Sequence, residues 1–260
     1  MKRNCIIILV AALLASCGKP TGELIETKTF SYEKSVYADS KKTAQMNIEM
    51  DVEYPTACAY PELLDTLQRF VISKVFATDD STLSVPATTD PKEAMRIVGE
   101  SLIKTYIEDN SYLPGELTEE KLETPIYFNG EYDLTAEVEG ITDDVLSYHV
   151  QLYSYYGGAH GYLSDSYYNI DLSTGRLLTD EDIFPDLSSE QVAELLRNAL
   201  VMQTEKTPAE LEEEGYSLES LVPNGNFFLT QDHVFYHYNQ YDIAPYAVGS
   251  VTIGLPRKTK

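Results

Sequence analysis

The glycine-rich stretch at residues 157–161, Gly-Gly-Ala-His-Gly, contains the residue types in this chain that could do chemistry. Glycines let the backbone turn tightly or approach a ligand closely. His160 could donate or accept a hydrogen bond or ligate a metal. Gly157, Gly158 and His160 are therefore candidate ligand-binding residues. The other interpretation is a demanding strand connection whose histidine bonds local backbone groups, and we favour it on the sequence alone because no nucleophile motif such as Gly-x-Ser-x-Gly is present.

Tyrosines crowd the same region. The chain has 20 tyrosines and no tryptophan, and seven tyrosines lie near this loop: Tyr148, Tyr153, Tyr155, Tyr156, Tyr162, Tyr167 and Tyr168. A tyrosine combines ring area with a hydroxyl, which suits recognition of protein or glycan, but it is also common in strands. Both explanations stay open for Tyr155, Tyr156 and Tyr162, which flank the loop and are the further candidate ligand-binding residues.

The remaining polar clusters predict no catalytic residue, metal site or cofactor. His233 and His237 are four residues apart in a strand context, which would separate their Cα atoms by about 13 Å. The carboxylates at 143–144 and 180–182 lack EF-hand spacing and suit turns and helix starts.

The amino terminus predicts an envelope location. Lys2 and Arg3 precede an apolar segment, residues 6–14, that is too short to span a bilayer as a helix. Residues 14–17, Leu-Ala-Ser-Cys, resemble a bacterial lipobox. That resemblance implies a signal peptide at 1–16, a diacylglycerol on Cys17, a lipidated tether at 17–26, and a membrane-anchored protein facing the periplasm or the outer surface. The alternative is an ordinary signal peptide cut at the same small residues.

Charge limits the choice of partners. The formal net charge is −23, from 19 Lys+Arg against 42 Asp+Glu. Such a surface repels nucleic acid and would attract a basic protein, although the charge could also serve only solubility. Cys58 would be the one cysteine left without lipid after cleavage, so no internal disulfide is expected.

Hydrophobic patterning predicts an α+β fold of antiparallel sheets with helices packed on one face, in two subdomains. Residues 44–54 alternate apolar and polar, which is typical of a strand with one buried face. Helices are predicted from Pro61, from Asp90 as N-cap, and from 188 to about 203, where Ser188 and Gln191 form a capping box. Short strands joined by tight turns follow one another along the second half, which favours antiparallel pairing over βαβ winding.

The second half resembles a known family of bacterial envelope domains. An ordered series of motifs carries the resemblance, at 155–161, 168–175, 178–184, 226–230 and 241–249. Together they look like the DUF3298 domain found in the extracytoplasmic half of the anti-sigma factor RsiV, placed here at 126–256. Residues 27–115, with Val-Glu-Tyr-Pro at 52–55, look more weakly like the DUF4163 or PdaC-type domain that often precedes it.

The resemblance implies a binding role in the envelope. The anti-sigma factor's extracytoplasmic part binds lysozyme, whereas in the peptidoglycan deacetylase the domain precedes a separate catalytic domain whose Thr-Phe-Asp-Asp-Gly motif this chain lacks. We therefore expect a non-catalytic binding module for a basic, lysozyme-like protein or for peptidoglycan fragments. The alternative is a glycan-modifying enzyme that uses His160 and a nearby carboxylate.

Overall fold

The computed structural model describes residues 24–38, 42, 44–77, 84–110 and 128–257. The larger sheet has six strands: β1 (Ile25–Tyr37), β2 (Gln45–Cys58), β3 (Gly130–Thr142), β4 (Val145–Tyr155), β5 (Tyr162–Asp171) and β6 (Arg176–Leu177). The smaller sheet has three: β7 (Phe227–Leu229), β8 (His233–Tyr238) and β9 (Val251–Pro256). The helices are α1 (Leu64–Val75), α2 (Pro91–Asp109), α3 (Asp180–Ile183), α4 (Ser189–Thr204) and α5 (Pro208–Glu213), with 3-10 turns at Pro61–Leu63 and Tyr246–Val248. The predicted α+β class is confirmed.

The strands of each sheet lie in sequence order, but one pair corrects the expectation of purely antiparallel sheets. β2 and β3 are parallel, with Met46 opposite Gly130 and Val52 opposite Ala136. A parallel pair needs a long crossover, and here the chain between the two strands includes α1 and α2. Sequence patterning detects the helices but does not show that the chain returns in the same direction beside β2.

One face of the six-stranded sheet forms the main apolar core. Along β2 the alternation predicted for residues 44–54 is confirmed, since Met46, Ile48, Met50 and Val52 are buried while Glu49 and Asp51 are exposed. This face packs against the apolar sides of α1 and α2. The helices therefore cover one side of the sheet, as predicted.

A second core lies between the three-stranded sheet and α4. Val192, Leu196 and Leu200 of the helix pack against the apolar side of β7–β9. Leu195, which the helical pattern also places inward, is 41 % exposed instead. Ala193, about 200° around the helix from Leu195, is fully buried instead, so the buried stripe is centred on Val192, Leu196 and Leu200.

Local signals fix the element ends as the sequence predicts. The Asp90 side chain accepts a hydrogen bond from the Lys92 amide, and the Ser188–Gln191 capping box is present. The β3–β4 connection is a two-residue turn in which Asp143 and Asp144 both have positive φ, 51° and 61°. This turn matches the twist of the two strands that it joins.

The predicted boundaries of the chain's segments have mixed outcomes. The signal peptide (1–16), Cys17 and the break predicted between 115 and 126 lie outside the described residues. Strands from both sides of that break join one sheet. β1 begins at Ile25, inside the predicted tether, because Leu24 and Ile25 are buried in a small third apolar cluster.

Within the described ranges no helix combines the length and apolarity needed to cross a membrane.

Candidate functional site

The glycine-rich loop connects β4 to β5. Gly157 and Gly158 have φ of 89° and 100°, a backbone region that side chains with a Cβ rarely adopt. The Tyr155 hydroxyl donates a hydrogen bond to the Gly158 carbonyl over 3.0 Å and closes the turn. The first two glycines of the motif therefore have a conformational role, as the structural interpretation of the sequence expects.

His160 is held by aromatic side chains from the segment between β8 and β9. Its ring stacks on Tyr246 with centroids 3.8 Å apart and planes 20° from parallel. The Tyr241 hydroxyl lies 3.5 Å from its Nε2, and its Nδ1 lies 3.3 Å from the Gly161 carbonyl oxygen. Tyr246 donates to that same carbonyl over 3.3 Å. Tyr241 has a φ of 73°, a strained conformation for a residue with a large side chain, and such strain is frequent at functional sites.

The loop forms one wall of a cleft of about 550 Å³. The opposite wall comes from β2 and the start of β3 and includes Asn47, Asn129 and Glu131. The lining residues are Asn47, Asn129, Gly130, Glu131, Tyr153, Tyr155, Gly158, Ala159, His160 and Gly161. Amide, carboxylate, phenol and backbone groups thus line one concave space.

Both asparagines of the cleft are oriented by bonds to their side-chain oxygens. Asn47 Oδ1 accepts from the Ser35 hydroxyl and from the Gln45 side chain, each over 2.7 Å. Asn129 Oδ1 accepts from the Gln45 backbone amide over 3.1 Å. Among the described residues these bonds use only the oxygens of the two amides, so their NH₂ groups can donate to a ligand.

Tyr153 also lines the cleft. Gly161 packs so closely on it that an added Cβ would lie 2.4 Å from the Tyr153 hydroxyl oxygen, which explains the third glycine of the motif. Burial, followed by the nearby Glu131 carboxylate, raises the pKa of Tyr153. Its phenol therefore stays neutral and can donate a hydrogen bond at physiological pH.

The structure divides the predicted site residues into two groups. Tyr155, Gly158 and His160 line the cleft, and Gly157 shapes its loop. Tyr156 and Tyr162 are outside the lining and are 61 % and 42 % exposed. Their role as ligand-binding residues stays a prediction. Sequence reasoning missed the opposite wall and Tyr241 and Tyr246, because only the fold brings these distant segments beside the loop.

A second polar cluster, also missed, is buried between the two sheets. His149 Nε2 lies 2.8 Å from Asp165 Oδ1, and Gln151 donates to the same oxygen over 2.9 Å. His237 Nε2 lies 3.6 Å from the other Asp165 oxygen, and its Nδ1 lies 2.9 Å from the Thr252 hydroxyl. Asp165 is 6 % exposed and each histidine less than a tenth.

The charges in this buried cluster follow from its contacts. Burial alone would raise the pKa of the Asp165 carboxyl, but hydrogen bonds from His149 and Gln151, together with His237, hold it below its ordinary value. Burial lowers the pKa of His237, against the attraction of Asp165. The cluster therefore contains an ionised carboxylate beside an imidazole that resists protonation.

The acidic residues at 180–182 have the helix-start role expected for them. Asp182 belongs to the capping box of α3 and is paired with Arg176, whose hydrogen bond is the main reason that the pKa of Asp182 lies far below its ordinary value. His233 is exposed at the start of β8, whereas His237 belongs to the buried cluster. Cys58 forms no disulfide among the described residues.

Comparisons with known proteins show a likeness to DUF3298 domains. Residues 181–258 match the family described as "Protein of unknown function (DUF3298)". The crystal structure of a DUF3298 family member from Bacteroides fragilis is similar, with a TM-score of 0.77, 26 % identity, and coverage of 89 % of this chain and 90 % of that one. That of a Pseudomonas aeruginosa DUF3298 family protein has a TM-score of 0.54 and 15 % identity, with 89 % and 91 % covered, and shows the fold alone. No curated protein matches the chain.

The comparisons confirm the DUF3298 resemblance over a shorter range than 126–256. The matched residues begin at α3 and include α4, α5 and the three-stranded sheet. The likeness to RsiV, the DUF4163 or PdaC-type resemblance at 27–115, and the lipobox interpretation stay predictions.

Proposed function

We propose that this protein is a non-catalytic binding module of the bacterial cell envelope, and that the cleft beside the 157–161 loop binds a peptidoglycan fragment. The observation that carries the proposal is the lining of the cleft. Tyrosine rings and oriented amide donors surround a space of about 550 Å³, within the size range of small-ligand sites.

The chemistry of the lining suits an amino sugar. The N-acetyl groups of peptidoglycan sugars present carbonyl oxygens, which the NH₂ groups of Asn47 and Asn129 would bind. Sugar hydroxyls would donate to Glu131, and the apolar faces of the sugar rings would pack on the tyrosines. None of the described lining residues is Lys or Arg, so an isolated phosphate or other strongly anionic ligand fits this cleft less well.

The contacts of His160 favour binding over catalysis. Among the described residues its hydrogen-bond neighbours are Tyr241 and a backbone carbonyl, and no carboxylate is bonded to it. A general base is normally oriented by such a partner. The enzyme alternative rests on Glu131, which lines the same cleft and would be the nearby carboxylate.

A basic protein partner of the lysozyme type is the second candidate. A net charge of −23 and the exposed rings of Tyr156, Tyr162 and Tyr241 support it. If it is correct, raising the salt concentration should slow association with lysozyme far more than it changes dissociation. Tyr156→Ala should speed dissociation, whereas Tyr37→Ala, which removes an exposed tyrosine at the end of β1, should not.

The envelope location in this proposal rests on the lipobox. Cys17→Ala should abolish acylation and move the protein out of the membrane fraction. A mutant that partitions with membranes as the wild type does would contradict the lipid anchor.

Calorimetric titration with purified muropeptides tests the cleft, and chromatography of the same samples tests turnover. Asn47→Ala and Glu131→Ala should each weaken binding by about tenfold, the effect of losing one hydrogen bond of about 1.4 kcal/mol. Glu49→Ala removes an exposed carboxylate elsewhere on the sheet and should change nothing. Muropeptide turnover that disappears in His160→Ala would replace the binding function with an enzymatic one.

A further inference from the structure

A group of possible metal ligands lies on the same face of β3 as Glu131, but far from the cleft. Ligand atoms of Glu137, Glu139 and His149 all lie within 4.8 Å of one another. Glu131 and Glu137 are six residues apart on the strand, about 20 Å at 3.3 Å per residue. The group is therefore separate from the proposed ligand cleft.

The strand geometry explains how these side chains meet. Glu137 lies directly opposite His149 on β4, and the register then shifts between Val138 and Gly140, which inserts Glu139 as an extra residue. The Val138 amide at this bulge donates to the Glu53 carboxylate over 2.8 Å, which holds the bulge in place. Bulges frequently redirect side chains towards functional sites.

The histidine is prepared as a ligand by its buried surroundings. Its Nε2 bonds Asp165, and its ring stacks on Tyr167 with centroids 4.4 Å apart and planes 9° from parallel. A carboxylate oxygen accepts, so in this contact His149 Nε2 is the donor and carries the proton. Nδ1 then has a free lone pair, and it has no hydrogen-bond partner among the described residues.

A carboxylate bonded to the second ring nitrogen is the usual support of a metal-ligating histidine. Here that support extends further, because Asn226 and Asn239 both donate to the Asp165 backbone carbonyl. The ring is thus fixed in orientation, and a ring nitrogen lies within 4.8 Å of ligand atoms of both glutamates.

The two carboxylates have no counter-ion in the part of the chain that the structure describes, and they repel each other. Glu137 and Glu139 are exposed, and neither has an ion-pair partner among the described residues. A cation between them would relieve their repulsion. Metal–ligand bonds of about 2.0–2.2 Å place ligand atoms about 3–4 Å apart, so the exposed carboxylates need to move only about 1 Å.

We propose that Glu137, Glu139 and His149 bind a divalent transition-metal ion of the zinc type, with Asp165 as the positioning residue behind the histidine. One imidazole and two carboxylates are a mixed nitrogen–oxygen ligand set, which suits Zn²⁺ better than Mg²⁺ or Ca²⁺. Three protein ligands leave the fourth position to water or to a ligand of the metal. The ion would tie the β3 bulge to β4.

Equilibrium dialysis and calorimetry of the metal-free full chain with Zn²⁺ test the proposal. The wild type should bind one ion per chain. The double variant Glu137→Gln/Glu139→Gln should bind at least about tenfold more weakly, as loss of ligands implies. Both substitutions are at exposed positions, so folding should be retained, and a thermal unfolding curve checks this.

The matched control is Glu49→Gln/Asp51→Asn, which removes the same charge from two exposed carboxylates on β2 and should leave Zn²⁺ affinity unchanged. Asp165→Asn should weaken Zn²⁺ binding by about 10–100-fold. Mg²⁺ should not compete at equal concentration. The proposal is overturned if the wild type fails to bind Zn²⁺ saturably, or if the Glu137→Gln/Glu139→Gln variant binds it as tightly as the control.

Discussion

The two faces of the six-stranded sheet are stabilised in different ways. One face is apolar, with Met46, Ile48, Leu134 and Tyr148 packed under α1 and α2. The other carries a buried polar row towards the smaller sheet: Ser147, His149, Asp165 and Asn169. There Ser147 donates to Asn169 over 2.7 Å, and Asn169 donates to the Phe227 carbonyl of β7. The apolar face needs only complementary shape, whereas the polar face requires nearly every donor to meet an acceptor.

The largest effect should come from a charge on the apolar face. Ile48 is fully buried, so Ile48→Asp should lower the free energy of unfolding by more than about 4 kcal/mol, because the new carboxylate has no partner. Glu49→Lys, one residue along on the exposed side, should change it by less than about 0.5 kcal/mol. Chemical denaturation measures both. Equal destabilisation would show that the register of β2 is wrong.

On the polar face, the free energy of unfolding should depend on the charge of Asp165 even when the shape of the side chain is kept. Asp165→Asn should destabilise the fold by about 2–3 kcal/mol, because His149 and Gln151 lose a charged acceptor in a buried site. Asp51→Asn, at an exposed position on β2, is the matched control and should stay within about 0.5 kcal/mol. If the two variants unfold alike, the buried cluster does not stabilise the contact between the sheets.

Lowering the pH should destabilise the fold through the polar face, because the buried groups His237 and Asp165 titrate there. Since burial lowers the pKa of His237, the unfolded chain binds a proton below about pH 6.5 that the folded chain resists. The free energy of unfolding should therefore fall as pH drops below that value, and fall again below about 3.8 as Asp165 takes up a proton. In the His237→Gln variant, the fall in the free energy of unfolding below about pH 6.5 should be smaller than in the wild type. A wild-type curve that stays flat between pH 7 and pH 5 would contradict this assignment.

The smallest expected effect concerns the loop itself. Gly158 has a φ of 100° with open space around it, so Gly158→Ala should cost about 1 kcal/mol through backbone strain alone. Gly140 also has open space but no positive φ, and Gly140→Ala should cost less. Thermal unfolding of the two alanine variants measures the difference. No difference would mean that the loop conformation is not constrained.

The sequence predicts the features that depend on residues close together along the chain, such as strand faces and helix starts. Alternation identifies the buried face of β2, and the capping residues Asp90 and Ser188 locate two helix starts. The parallel β2–β3 pair and the polar face depend on contacts between distant segments. Period-two patterning makes Ser147 and His149 look solvent-facing, and only the docking of β7 and β8 buries them. For the same reason the loop could be found as a candidate site, but its opposite wall at Asn47 and Glu131 could not.

Hydrogen–deuterium exchange with and without a saturating muropeptide tests the central claim most directly. We expect protection to increase at residues 155–161 and 129–131, on both walls of the cleft. Glu131→Ala should reduce this increase, and Glu49→Ala should not. A bound muropeptide that protects neither wall, or protection that survives unchanged in Glu131→Ala, would contradict the assignment of this cleft as the ligand-binding site.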